Sequence, residues 1–405
     1  MILSIKPTTA LKGAVDLPAS KSYSIRAFLI AACGGRSKII DPSDCDDAMV
    51  AQNIGKALKD GSNVFHVGES GTTLRFLLPL LSLHTRHAIV KGKGTLIGRP
   101  NHHLCAALRE QGMDIRGSGP QESVPIVYKG GQIEPGTIYI DGSLSSQFIS
   151  ALLITAPRLC ADSRIVITGK EMVSSDYIVM TRQILAQAGI HVSVIGKRTL
   201  IVKGNQCFNG LKNFRVPSDY GLAAFPMAAA ALVASKVVLK GYFNDNFAQS
   251  DSHILGFLRR MGVVFKKTEK SININGPFFL KGGTFSLKDC PDLVPIMSIL
   301  ALFAKGRTQL TDIRHARAKE SDRISDLRKE LLKVGAKVGE TADSLTIDPQ
   351  PVYKGGQILN PHHDHRLAMA FTVLGLKIGC RVQQIECARK SYPAFVKDMK
   401  ALGII

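Results

Sequence analysis

The chain has 405 residues, 45% hydrophobic and 21% charged, with 52 Lys and Arg against 32 Asp and Glu, a formal charge of +20. That length allows two or three globular domains, and that composition excludes a disordered or fibrous chain. The cationic surplus favours acidic partners, but Lys and Arg are scattered without a long run, and aromatics at 6% offer no stacking platform for single-stranded nucleic acid.

In chain order, one unit recurs six times. Lys12-Gly13 and a strand-like stretch precede Ser20-Lys21-Ser22 and an apolar helix predicted over 26–32. Gly68-Glu69-Ser70-Gly71-Thr72-Thr73 opens a second apolar helix over 74–81. Lys129-Gly130, a strand over 137–140 and Ser145-Ser146-Gln147 precede a third over 148–156. Ser218-Asp219-Tyr220 precedes 222–234, residues 289–292 precede 293–303, and Asp364-His365-Arg366 precedes 367–376. Residues 128–133 and 353–358 both read Y-K-G-G-Q-I, which supports an internal repeat. A second, amphipathic helix closes on Gly112, Gly189, Gly262, Gly335 and Gly403, with Gly61 the less clear first copy.

The first helix of each unit is apolar nearly all round, which predicts burial. Its polar residues gather at its N-terminus, where free N–H groups and the helix dipole suit phosphate or carboxylate. Taken singly, each polar cluster is also read as a helix cap. Six together, carrying Lys21, Arg26, Arg75, Gln147 and Arg366, point to a polyanion site. The run R-A-K-E-S-D-R-I at 317–324 adds a Lys, a Glu and an Arg ahead of a helix predicted over 321–334, with Ser321 or Asp322 as cap. Such a trio can bind an anion and move a proton at one place; alone it is also read as a solvated helix start.

These motifs resemble the 5-enolpyruvylshikimate-3-phosphate (EPSP) synthase family over the whole chain and in order. They are L-P-A-S-K-S-Y-S-I-R at 17–26, G-E-S-G-T-T-L-R at 68–75, Arg99-Pro100, S-S-Q-F at 145–148, P-D-L-V-P at 291–295, R-A-K-E-S-D-R at 317–323, D-H-R-L-A-M-A at 364–370 and K-S-Y-P at 390–393. The resemblance implies an α/β fold, a two-domain inside-out α/β barrel of six βαβαββ units around buried helices. It places residues 1–19 and 218–405 in one domain and 20–217 in the other. It implies transfer of the enolpyruvyl group of phosphoenolpyruvate to the 5-hydroxyl of shikimate 3-phosphate, in the shikimate pathway to chorismate and the aromatic amino acids.

Carried over residue by residue, the resemblance makes Glu320 the proton donor to the methylene carbon and Asp292 the base at the hydroxyl, with Lys21 beside both substrates. Ser22, Arg26, Ser145, Ser146, Ser174, Tyr177, His315 and Lys319 would hold shikimate 3-phosphate, with Asp292 at its hydroxyl and Gln147 between the substrates. Gly71, Arg99, Arg323, Arg366 and Lys390 would hold phosphoenolpyruvate, and glyphosate is expected to occupy the same place. No metal or cofactor is expected, because several cations can hold the phosphates and carboxylates. A cleft lined with cations that repel one another when empty is expected to close on its ligands.

Two departures stand out. Asp219-Tyr220-Gly221-Leu222 replaces the family's Asp followed by small serines, and His315 stands for a shikimate-side asparagine, with a charge expected to depend on pH. A sister enzyme acting on a UDP-sugar would carry a Cys in the loop at 92–98, which has none, and would lack K-E-S-D-R. A basic nucleic-acid module explains the charge but not acids mixed with cations at helix starts. His362, His363, Asp364 and His365 are assigned to a loop and to the repeat rather than to a metal. Eight cysteines form no C-x-x-C pair, no apolar stretch reaches ~20 residues, and residues 1–7 resemble no leader. A cytoplasmic monomer is expected, with no nucleic-acid or membrane partner.

Overall fold

The computed structural model describes all 405 residues, Met1–Ile405. Contacts divide it into two compact units, Met1–Ala19 with Pro217–Ile405, and Ser20–Val216. The helices in chain order are α1 (Lys21–Cys33), α2 (Asp46–Lys59), α3 (Gly71–His84), α4 (His102–Glu110), α5 (Ser146–Thr155), α6 (Asp176–Gln187), α7 (Tyr220–Leu232), α8 (His253–Arg260), α9 (Val294–Leu302), α10 (Ser325–Lys333), α11 (His365–Ile378) and α12 (Phe395–Ala401).

Odd and even helices differ in kind. The odd ones are apolar around their circumference, so water cannot be given a face; every residue of α7 and of α9 is buried. The even ones bury one stripe, as α8 does with Ile254, Phe257 and Leu258. Each even helix ends at a glycine with left-handed φ: Gly61 at +68°, Gly112 at +97°, Gly189 at +82°, Gly262 at +96°, Gly335 at +79° and Gly403 at +85°. Gly61 therefore belongs to the series. In Met1–Ala19 with Pro217–Ile405, helices α7, α9 and α11 pack on one another as the core. In Ser20–Val216, α3 packs on both α1 and α5.

Four odd helices, α3, α5, α9 and α11, each bridge two parallel strands, the crossover that parallel pairing requires. Around α3, Val64–His66 pairs parallel with Ala88–Lys91. After α4 the chain forms the antiparallel pair Asp114–Ser118 and Ser123–Gly130, and the latter returns beside Ala88–Lys91. Thr137–Asp141, Ser163–Thr168, Val192–Ile195 and Thr199–Val202 repeat the plan, as do Thr284–Ser286, Thr308–Thr311, Lys337–Glu340 and Leu345–Asp348. The N-terminal segment completes two other sheets. Ala10–Asp16 pairs parallel with Ala234–Lys240, and Ile2–Ile5 pairs antiparallel with Cys380–Gln383.

The two Y-K-G-G-Q-I copies share a backbone role although one ends a strand and the other leads into one. Their second glycines, Gly131 and Gly356, have φ of +84° and +72°. Both copies run past a glycine-capped helix end. A Cβ on Gly131 would lie 2.1 Å from the Gly112 carbonyl oxygen, and the Lys354 amide donates to the Val334 carbonyl at 2.9 Å.

Two helix starts differ from expectation by four residues or more: the helix expected over 26–32 begins at Lys21, where Ser20 caps it, and the other lies after the charged run. The helix expected over 321–334 begins at Ser325, after a short 3-10 turn at Arg314–Ala318 and a non-helical connector. Asp322 supplies the reason: its Oδ1 accepts from the amides of Ile324 and Ser325, both at 3.1 Å. The cap thus acts, but the residues before it stay outside the helix.

Candidate active site

In the unit of Met1–Ala19 and Pro217–Ile405, the charged residues converge on Arg323. Its guanidinium is 1% exposed. It donates from Nε to Asp364 Oδ2 at 2.7 Å, from Nη1 to Asp292 Oδ1 at 2.6 Å and from Nη2 to Glu320 Oε2 at 3.0 Å. Arg366, in the first turn of α11, reaches Asp292 Oδ2 at 2.8 Å and Asp251 Oδ2 at 3.7 Å. Lys319 lies 3.9 Å from Asp292, and Lys390 lies 3.6 Å from Glu320. Asp364 caps α11 by accepting from the Arg366 amide at 2.8 Å, so one carboxylate both starts the helix and seats Arg323.

The cations here are paired with acids, which corrects the expectation of mutually repelling charges. The pairing also sets protonation. Burial pushes the Asp292 carboxyl up, but Arg366, Arg323 and Lys319 outweigh it and hold it well below the usual carboxylate range. Burial pushes Arg323 down, and Asp364, Asp292 and Glu320 outweigh that, raising it well above its ordinary value. Asp292 is therefore ionised, and a weak base while these cations hold it. His315 does not titrate where the sequence suggested. Burial, followed by the charge of Lys319, pushes it down to about 3, so it is neutral at ordinary pH. Its Nε2 is buried without a hydrogen-bond partner.

In Ser20–Val216, the expected residues lie at three odd-helix starts and beside α6. Lys21 opens α1 and bonds Asp47 Oδ2 at 3.1 Å. Arg26, one turn further and 1% exposed, donates to Thr181 Oγ1 at 2.8 Å, Ser22 O at 3.0 Å and Tyr177 O at 3.3 Å. It has no carboxylate partner, and burial pushes its guanidinium down to about 10. A buried cation without an acid is costly unless an anion comes to it. Ser145 caps α5, accepting from the Gln147 amide at 3.3 Å, and Ser146 is buried in the first turn. Gln147 is held from both sides, by Arg75 Nη1 at 2.6 Å and by Thr72 Oγ1 at 2.9 Å. Ser174, at φ +55°, accepts through its carbonyl from the Tyr177 amide at 3.2 Å.

Gly71 begins α3 with no left-handed φ, so turn geometry does not demand glycine there. Close approach does. A Cβ on Gly71 would lie 2.9 Å from Arg99 Nη1 and 3.1 Å from its Cζ. The Arg99 guanidinium rests on the bare backbone at the helix start.

A family model described as EPSP synthase (3-phosphoshikimate 1-carboxyvinyltransferase) matches residues 5–399. The chain belongs to the EPSP synthase family. A relative named 3-phosphoshikimate 1-carboxyvinyltransferase from Methanocaldococcus jannaschii is 35% identical over 99% of this chain and 98% of its own. One of the same name from Methanothrix thermoacetophila is 35% identical over 100% and 98%. The solved structure of an EPSP synthase from Acinetobacter baumannii superposes with a TM-score of 0.79 at 26% identity, covering 100% of this chain and 98% of the other. The two-domain α/β fold with buried helices is thus the family's.

Three residues of this EPSP synthase family member escaped the sequence reading as site residues, and a fourth, Arg75, was placed among the polyanion clusters but given no partner. Asp364 holds Arg323, Asp47 holds Lys21, Thr181 holds Arg26, and Arg75 holds Gln147. Only Arg75 and Asp364 had a local signal, as charges at odd-helix starts. Asp47 and Thr181 lie on even helices, where a polar residue normally marks a solvated face.

Proposed function

We infer that this chain transfers the enolpyruvyl group of phosphoenolpyruvate to the 5-hydroxyl of shikimate 3-phosphate and releases phosphate. The family match and the named relatives support the reaction. The observation that carries the residue roles is the acid pair on Arg323. Glu320 and Asp292 sit on its two terminal nitrogens, and the addition step needs one acid and one base.

Glu320 gives a proton to the methylene carbon as the hydroxyl oxygen of shikimate 3-phosphate bonds to the adjacent carbon, and Asp292 takes the hydroxyl proton. Elimination then removes a proton from the new methyl group, expels phosphate and restores the double bond. Asp292 starts as a poor base because Arg366, Arg323 and Lys319 stabilise its charge. When the carboxylate and phosphate of phosphoenolpyruvate take over Arg366 and Lys390, that stabilisation weakens and Asp292 becomes more basic as it is needed. Lys319 and a neutral, hydrogen-bonding His315 serve shikimate 3-phosphate from this unit. From Ser20–Val216, Arg26 with Ser22, Ser145, Ser146, Ser174 and Tyr177 serves the same substrate. Its unpaired guanidinium is matched to an anion. Lys21 and Gln147 serve both substrates, and Arg99 on Gly71 serves phosphoenolpyruvate.

A coupled assay for inorganic phosphate tests the reading. Release should require both substrates together. Equal release from phosphoenolpyruvate alone, or none with both present, overturns it.

A further inference from the structure

Asp251 has no task in the reaction as derived, yet the structure makes room for it. It stands on the short turn Ser250–Ser252 ahead of α8 and is buried, and its Oδ1 has no hydrogen-bond partner. Its Oδ2 lies 3.7 Å from Arg366 Nη2. A Cβ on Gly221 would lie 2.3 Å from Asp251 Oδ2 and 2.9 Å from Arg366 Nη1. Gly221 is helical, with no left-handed φ to require glycine, and its carbonyl accepts from Arg366 Nη1 at 3.3 Å. The bare backbone at Gly221 therefore leaves the space in which a second carboxyl, beside that of Asp292, meets the arginine.

We propose that Asp251 is a positioning residue whose proton sets how firmly Arg366 can hold an anionic substrate. The proposal rests on the assignment of Arg366 to phosphoenolpyruvate. The charged groups facing Asp251 are Arg366 from α11, Asp292 from the turn Pro291–Leu293, Asp219 at the cap of α7 and Lys319 from the connector before α10. Burial pushes the Asp251 carboxyl up, Arg366 opposes it, Asp292 and Asp219 reinforce it, and it stands at about 7. While Asp251 is protonated, Arg366 answers Asp292 alone and has charge to spare for substrate. Once Asp251 ionises, two carboxylates flank one guanidinium, and a further anion is disfavoured at short range. Affinity for phosphoenolpyruvate falls as pH rises through neutrality.

The test compares wild type with Asp251→Asn at saturating shikimate 3-phosphate, measuring KM for phosphoenolpyruvate and kcat from about pH 6 to about pH 8.5. Wild-type KM should rise by roughly fivefold or more over that range, the scale of a modest coupling between sites. In Asp251→Asn the rise should be largely lost, so the ratio of the two KM values changes with pH while the ratio of kcat values does not follow it. Titration of the substrate's own phosphate acts on both proteins alike and drops out of the ratio. A pH-independent KM ratio overturns the proposal. If Asp251→Asn is not recovered folded, as judged by calorimetric binding of shikimate 3-phosphate, Asp251→Ser carries the same comparison. A flat wild-type KM overturns the proposal without either variant. Failure of wild type to release phosphate from both substrates would refute the proposed reaction instead; an active enzyme with parallel KM profiles refutes only the role of Asp251.

Discussion

Replacing Gly71 by Ala isolates what the bare backbone at the start of α3 does. The added methyl would stand 2.9 Å from Arg99 Nη1, 3.1 Å from Cζ and 3.4 Å from Nη2. Ordinary contact needs about half an ångström more, and the group that must yield is the far end of a long side chain. The helix should not suffer, since Ala is favoured over Gly in helices by up to ~1 kcal/mol. The melting temperature should therefore hold or rise. The displaced guanidinium loses part of its grip on an anionic ligand. Hydrogen bonds to charged groups contribute about 1.5–3 kcal/mol each, so losing one should raise KM for phosphoenolpyruvate by roughly 10-fold to 100-fold. KM for shikimate 3-phosphate should change much less. Glyphosate is longer than phosphoenolpyruvate, so its inhibition constant, competitive with phosphoenolpyruvate, should rise by a larger factor than KM. The same kinetics in an Arg99→Ala background decide the mechanism, because effects that pass through one side chain are not additive. If Gly71→Ala raises KM equally with and without Arg99, the methyl acts on something else and this reasoning fails.

Three other outcomes are expected. Glu320→Gln should lower kcat by ~10²-fold or more, the range for loss of general acid catalysis. Arg323 keeps Asp292 and Asp364, so circular dichroism and melting should stay close to wild type, and near-normal turnover would remove Glu320 from the acid role. Asp251 carries a linkage prediction. Its folded value is raised to about 7 against about 3.9 unfolded, so its contribution is whole below the unfolded value and is lost as pH rises through the folded one. Asp251→Asn should therefore gain melting temperature over wild type at about pH 8 and lose that gain near pH 4; a gap that does not change with pH would contradict it. Finally, KM for phosphoenolpyruvate should rise with potassium chloride as screening shortens to a few ångströms. The rise should be moderate, because the cations of the Arg323 cluster already have acid partners, and a flat series would place the +20 charge elsewhere.

Much of the architecture was legible because helical burial is written locally. Helices such as α7 and α9 have no polar face to offer water, and the glycines that close the even helices carry a left-handed φ that side chains resist. Both signals lie within a dozen consecutive residues and survive without knowledge of the rest of the chain. The start of α10 was misjudged because composition alone does not say whether Asp322 caps the helix from inside or ahead of it. That depends on where its side chain accepts.

The amino-acid sequence by itself determined the repeat, the buried helices, the family and the residue types at each helix start. Tertiary structure alone decided which charges are paired. Arg323 joins acids 31 and 41 residues away, while Arg26 joins none. Local sequence offers Arg323 only Glu320 and Asp322; Asp292 and Asp364 reach it through the fold. His315 shows the same division: its identity is a matter of sequence, but its neutrality comes from burial and from Lys319. Gly221 would read as a weak helix residue until Asp251 and Arg366 are seen against it. The physical reason is common to all three. Backbone propensity and hydrophobic periodicity are short-range along the chain, whereas desolvation and Coulomb interactions depend on distances in space that only the packed fold creates.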